Sequence, residues 1–95
     1  MDIKYLQMLI TYTVRFRMYQ YGRKSANDGK CVQTFPTLDD AIKFRDKLID
    51  WKKTADTGDN ELYKNFVWSY VEDGFLDSVD STIYRTTEVW ESIDV

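Results

Sequence analysis

The sequence predicts one α+β domain, residues 1–95, folded around a single small core. Its 95 residues suit one domain of ordinary size. Residues 11–21 alternate apolar and polar side chains with the period of two that is typical of a half-buried strand. After Pro36 the period becomes helical, and residues 82–93 return to the β-branched and aromatic composition of a strand.

The first two elements are predicted to form an antiparallel β-hairpin. In the first strand the even-numbered side chains should face the core, and the odd-numbered ones should face water or a partner. The core-facing set is Tyr12, Val14, Phe16 and Met18. Residues 22–29 (GRKSANDG) have the composition of a polar turn. Residues 30–35 then return as the second strand.

Two helices and a closing strand are predicted to follow. Thr37 with Asp40 three residues later resembles a capping box, so an amphipathic, packed helix should run from Leu38 to about Lys53. Residues 61–71 have the composition of either a strand or a helix, and we favour a short, mostly buried helix. Residues 77–81 are predicted to be a polar connection to the closing strand at 82–93. Its apolar residues change parity, which predicts a bulge near Thr86 and Thr87.

Composition disfavours an enzyme. The chain has no histidine and a single cysteine, Cys31, so the commonest general base and the commonest zinc sites are missing. Its four glycines form no phosphate-binding loop. Adjacent carboxylates, as in the pair Asp39 and Asp40, do not face each other on a helix. We therefore expect no catalytic residues, cofactor or metal. The lone cysteine, with no basic leader or membrane-length apolar run, predicts a cytoplasmic protein without membrane attachment.

Charge is divided along the chain and suggests two kinds of partner. Residues 1–36 carry a net charge of about +4 and the remainder about −7, for a total of −3. The acidic carboxy-terminal stretch suggests contact with a basic surface on another protein. The candidate residues for this protein interface are Tyr84, Glu88, Trp90, Glu91 and Asp94.

Nucleic acid is the alternative partner. Arginine neutralises phosphate and tyrosine stacks on bases, and both occur on the odd-numbered face of the first strand and in the turn after it. The candidates for this interface are Arg15, Arg17, Tyr19, Tyr21, Arg23 and Lys24. The same alternation also describes a solvated strand face, and the acidic second half of the chain disfavours phosphate. Nucleic acid is therefore the less favoured alternative.

The segments YTVRFR, FPTLDDAIKFRDKLID and TIYRTTEVWESID, in this order, resemble small phage-encoded anti-defence proteins of the anti-CRISPR kind. The motif-like positions are Phe35, Thr37, Leu38 and Ala41, at the strand end, the helix cap and the helix core. The resemblance implies an inhibitor or adaptor that binds a host protein stoichiometrically in the host cytoplasm. A nucleic-acid-binding defence complex is one such target, and self-association is left open.

Overall fold

The computed structural model describes residues 2–21, 29–54 and 60–94, with side chains described for 7–21, 29–54 and 60–89. The elements are β1 (Asp2–Gln20), β2 (Lys30–Phe35), α1 (Leu38–Lys53), α2 (Glu61–Tyr70) and β3 (Gly74–Asp94). The three strands form one antiparallel sheet in the order β2-β1-β3. The predicted α+β class, the hairpin and both helices are confirmed.

The core lies between the two helices and one face of the sheet. Val14, Phe16 and Met18 of β1 are buried there, as the even-numbered pattern predicts. The ring of Phe16 lies 5.9 Å from that of Phe44 in α1 and 5.8 Å from that of Phe66 in α2, measured between ring centroids. Aromatic packing therefore joins both helices to the same point of the central strand.

Both helices begin at residues whose side chains satisfy free backbone N–H groups. Thr37 Oγ1 accepts a hydrogen bond from the Asp40 amide at 3.2 Å, and Asn60 Oδ1 accepts one from the Tyr63 amide at 3.0 Å. The expectation that α2 is mostly buried is wrong. Only Val67 is fully buried in it, and Leu62 is 70% exposed, because one side alone of α2 contacts the sheet and α1.

The closing strand is longer than predicted. Residues 77–81, expected to be a connection, belong to β3, which begins at Gly74. A bulge allows this polar stretch to stay in the sheet. The β3 residues 80–82 lie between the pairs Val14–Ile83 and Phe16–Val79, where β1 has Arg15 alone.

The bulge predicted near Thr86 and Thr87 is wrong, because β1 and β3 keep one register from the pair Tyr5–Ser92 to the pair Val14–Ile83. The apolar residues of β3 change parity without a bulge since described side chains on both faces of this segment reach solvent: Leu9 and Val89 lie on opposite faces and are 44% and 58% exposed.

One part of the β1–β3 pair extends as a two-stranded ribbon. We call residues 2–10 of β1 and 86–94 of β3 the β-arm. Pairing with β2 covers only Tyr12–Arg17 of β1, so within the described chain the β-arm contains two strands alone. The radius of gyration is 17.8 Å and the extents are 59 × 29 × 21 Å, whereas a compact domain of this length has a radius of gyration of about 12 Å. The β-arm accounts for this elongation.

Candidate functional site

The face of the sheet opposite the helices, here called the outer face, collects most of the predicted site residues that the structure describes. The pairs Arg15–Val32 and Arg17–Lys30 place three cations on neighbouring strands. Val32 is 58% exposed between them, and no helix in the described chain covers this face. The hairpin register therefore adds Lys30 to the two predicted arginines.

A hydrogen-bonded group occupies the centre of the outer face. The guanidinium of Arg15 lies 3.9 Å from the ring centroid of Tyr84, within the range of a cation–π contact. The Tyr84 hydroxyl donates to Asp80 Oδ2 at 2.7 Å, and the Thr82 amide donates to Asp80 Oδ1 at 2.9 Å. The first of these hydrogen bonds is the main cause of a lowered pKa of Asp80 and of a raised pKa of Tyr84. Asp80 thus stays ionised beside Arg15 and offsets part of its charge.

Asp80 was not among the predicted site residues. Its role depends on the β3 bulge, which brings it beneath Tyr84 and beside Arg15. The sequence signal for this arrangement is Asp80 two residues before Thr82, the spacing of a side-chain-to-backbone turn. The other face of the same bulge is fixed by α1, where Arg45 Nη1 donates to the Ser81 carbonyl at 3.1 Å.

An open cleft of about 580 Å³ lies beside this group. Its walls carry three cations, Arg15, Arg17 and Lys30, against the carboxylate of Asp80. Cys31 also contributes, but its thiol donates weakly to the Gly29 carbonyl at 3.4 Å, and burial raises its pKa. The cleft therefore offers charge and hydrogen bonding to a ligand, with a protonated thiol in its wall.

The prediction for Tyr19 is wrong. It was expected to face water or a partner, but it is only 9% exposed. The Tyr19 ring lies 6.2 Å from the ring of Phe75, measured between ring centroids, and packs against Gly29, so these two neighbours cover it. Tyr21 fits its prediction better, since it is 62% exposed although its ring lies 5.0 Å from that of Phe75, measured between centroids. The other two residues predicted for nucleic acid, Arg23 and Lys24, lie outside the described residues.

The predicted protein-binding residues all belong to β3, which is an edge strand of the sheet. Glu88 is exposed and pairs with Leu9 in the β-arm. Tyr84 lies four residues away, or about 13 Å along the strand, and is held by Arg15 and Asp80. The backbones of Trp90, Glu91 and Asp94 continue the edge, while their side chains lie outside the described part of the chain.

Two searches of the described residues bear on other kinds of site. No group of three or more His, Cys, Asp or Glu side chains among them is arranged to hold a metal ion. Neither of their helices combines the length and the apolar character needed to cross a membrane.

Comparison with protein-family models, curated protein sequences and solved structures finds no match to this chain.

Proposed function

We propose that this chain is a small, non-enzymatic inhibitor or adaptor of the phage anti-defence type, which binds a host protein stoichiometrically through the β3 edge of the β-arm. The observation that supports this proposal is the exposed acidic edge. Among the residues that the structure describes, β3 has a strand neighbour on one side only, and Glu88 in its β-arm segment is exposed. An exposed edge supplies backbone hydrogen bonds to a partner, and its side chains supply specificity.

The charge of the edge favours a basic partner. Residues 86–94 contain Glu88, Glu91 and Asp94 and no lysine or arginine. Carboxylates that repeat along one strand attract a basic protein surface and speed its association. A host protein that itself binds nucleic acid presents such a surface. Val89, which is 58% exposed, adds apolar area beside the charges.

Nucleic acid remains the second candidate, because Arg15, Arg17 and Lys30 line one cleft on the outer face. Guanidinium and ammonium groups on neighbouring strands fit a phosphate backbone. The hydrogen-bonded Asp80 opposes this use, since its carboxylate stays ionised within the same cleft. The acidic edge of β3 also repels phosphate at longer range.

Charge reversal tests the proposal. The host protein is first isolated by affinity capture on the wild-type chain, and its binding is then titrated with purified components. Changing Glu88→Lys together with Glu91→Lys should weaken binding at least about tenfold, chiefly through a slower on-rate. It should also remove or invert the salt dependence of that rate. The matched control is Asp50→Lys with Glu72→Lys, two exposed acids outside the β-arm, which should leave affinity within about threefold of wild type.

Three results would contradict the proposal. One is equal weakening by both charge reversals, which would indicate a general effect of net charge. Another is unchanged binding by the β-arm variant after circular dichroism has shown that it is folded. The third is a gel shift with DNA or RNA that survives moderate salt and disappears in Arg15→Ala with Arg17→Ala. In that case nucleic acid is the partner, and at lower salt, where the double variant still binds, its salt slope should be flatter by about two units.

A further inference from the structure

The β-arm has a second edge, on the β1 side. Pairing with β2 ends at Tyr12, and within the described chain no strand pairs with residues 2–11 of β1 on the side away from β3. An edge of this kind is a template for another strand, because main-chain donors and acceptors point outward along it.

The two edges of the β-arm differ in composition. Natural edge strands avoid unwanted pairing through charged residues, prolines and bulges. β3 follows this rule, with the bulge at residues 80–82 and three carboxylate residues in the β-arm. Residues 5–11 of β1 (YLQMLIT) contain no charged residue, glycine or proline, and their register with β3 has no shift. Residues 5–11 of the β1 edge therefore lack the features that would prevent pairing, whereas Asp2, Lys4 and a register shift after Ile3 lie at its far end.

The β-arm also exposes apolar side chains that a further pair of strands would help to cover. Met8 is 64% exposed and Leu9 is 44% exposed, and they lie on opposite faces of the ribbon. An isolated two-stranded ribbon is at best marginally stable in water, whereas three or more strands support one another. The β-arm is therefore an incomplete sheet, and pairing along β1 would complete it.

We propose that the β1 edge pairs with the β1 edge of a second copy of this chain. Two copies related by a two-fold axis present the same patch to each other, and antiparallel pairing gives a four-stranded sheet in the order β3-β1-β1-β3. Charge favours the pairing of two β1 edges over the pairing of two β3 edges. Residues 2–10 contain one acid and one base, Asp2 and Lys4, so two β1 edges meet without net repulsion. Two β3 edges would instead bring six carboxylates together.

This assembly leaves the acidic β3 edges on the outside, one at each side of the four-stranded sheet. It does not depend on the function proposed above, because it uses the opposite edge of the β-arm. If both proposals are correct, the dimer presents two acidic edges, and a host protein with two binding sites for them gains avidity.

Sedimentation velocity tests the dimer across about a thousandfold range of protein concentration. Wild type should pass from monomer to dimer as concentration rises. Met8→Lys with Leu9→Lys puts two charges on each β1 edge and should raise the dimer dissociation constant at least about tenfold. The matched control is Leu62→Lys with Leu38→Lys. These helix residues are similarly exposed, at 70% and 46%, and their change should leave the dissociation constant within about threefold.

The location of the interface is checked by amide hydrogen exchange. Backbone amides at residues 7–10 should exchange more slowly as wild type dimerises, while those of α1 should keep one rate. A wild type that is monomeric throughout would overturn the proposal and would leave the β1 edge to a strand from another protein. A dimer that survives in the folded Met8→Lys, Leu9→Lys variant would overturn it too. Equal loss of the dimer in the Leu62→Lys, Leu38→Lys control would show that the interface lies elsewhere. That result would also overturn the proposal.

Discussion

The paired strands β1 and β3 are covered by helices in one half of their length and exposed in the other half. In one half, residues 14–18 of β1 lie beneath both helices, and Val14, Phe16 and Met18 are at most 3% exposed. In the other half, the β-arm, Met8 and Val89 pair directly and are both more than half exposed. Backbone pairing is antiparallel throughout and unshifted from Tyr5 to Val14. The halves therefore differ in what packs against the strands and also in register, because the covered half contains two register shifts, after Val14 and after Arg17.

An apolar residue in a strand therefore indicates a surface that is stabilised by burial. It does not indicate which element of this chain, or which partner, buries that surface. In the helix-covered half the cover is intramolecular, from α1 and α2. In the β-arm no element of the described chain supplies it. Both proposals above would supply cover for these residues through intermolecular contacts.

Truncation of one apolar side chain in each half should give the largest contrast. Phe16→Ala should lower the free energy of unfolding by about 3–5 kcal/mol, because it removes a ring that contacts both helices and leaves a cavity. Met8→Ala should lower it by less than about 1 kcal/mol at concentrations where the chain is monomeric, because that side chain is already exposed. Chemical denaturation measures both values.

Arg17→Ala is the control for the assignment of the two faces of β1 in the covered half. Arg17 follows Phe16 and points to the outer face, so its removal should cost no more than about 1 kcal/mol. Equal losses for the Phe16 and Arg17 variants would show that the two faces of β1 have been assigned wrongly. A loss for Met8→Ala as large as that for Phe16→Ala would remove the contrast between the two halves.

In the covered half, the sequence predicts residues 14–18 of β1 and the start of α1 well for a physical reason. One face of β1 is buried there, so its alternation is strict, and the cap at Thr37 fixes the start of α1. Prediction from the sequence fails where a strand does not alternate between buried apolar and exposed polar side chains. Residues 2–10 show no strand alternation because both of their described faces are exposed, and residues 77–81 appear too polar for a strand until a bulge accommodates them.

The candidate site was predictable in part. The odd-numbered rule correctly put Arg15 and Arg17 on the outer face, because a strand keeps its parity where the register is regular. It failed at Tyr19, because the ring of Phe75 and the backbone of Gly29 cover this side chain and the local sequence pattern does not indicate that contact. Lys30 and Asp80 could not be assigned without the pairing of β1 with β2 and β3, since both act across strands.

The smallest expected effect is a pH dependence of the free energy of unfolding, which arises from Asp80 at the boundary between the two halves. The Tyr84 hydroxyl donates to Asp80 and holds the pKa of that carboxyl below its ordinary value. The unfolded chain therefore binds a proton more readily than the folded one. This contribution to stability is present above the ordinary pKa of an aspartate, about 4, and is lost as the pH falls through the folded pKa. Tyr84→Phe should raise the pKa of Asp80 toward its ordinary value, as measured by carbon-13 NMR titration of the carboxyl.

A pKa of Asp80 that is unchanged in Tyr84→Phe would show that the hydrogen bond is not its main cause. Tyr12→Phe is a suitable control, because Tyr12 lies on the other face of the same sheet.

Native-state hydrogen exchange on dilute, monomeric protein shows whether the β-arm is an uncovered extension of a covered sheet. Among the amides that β1 donates within the sheet, those at residues 14–18 should exchange only through global unfolding. Those at residues 7–10 should exchange through a local opening of much lower free energy that is nearly independent of denaturant. Equal opening free energies in the two halves of the monomer would contradict the account.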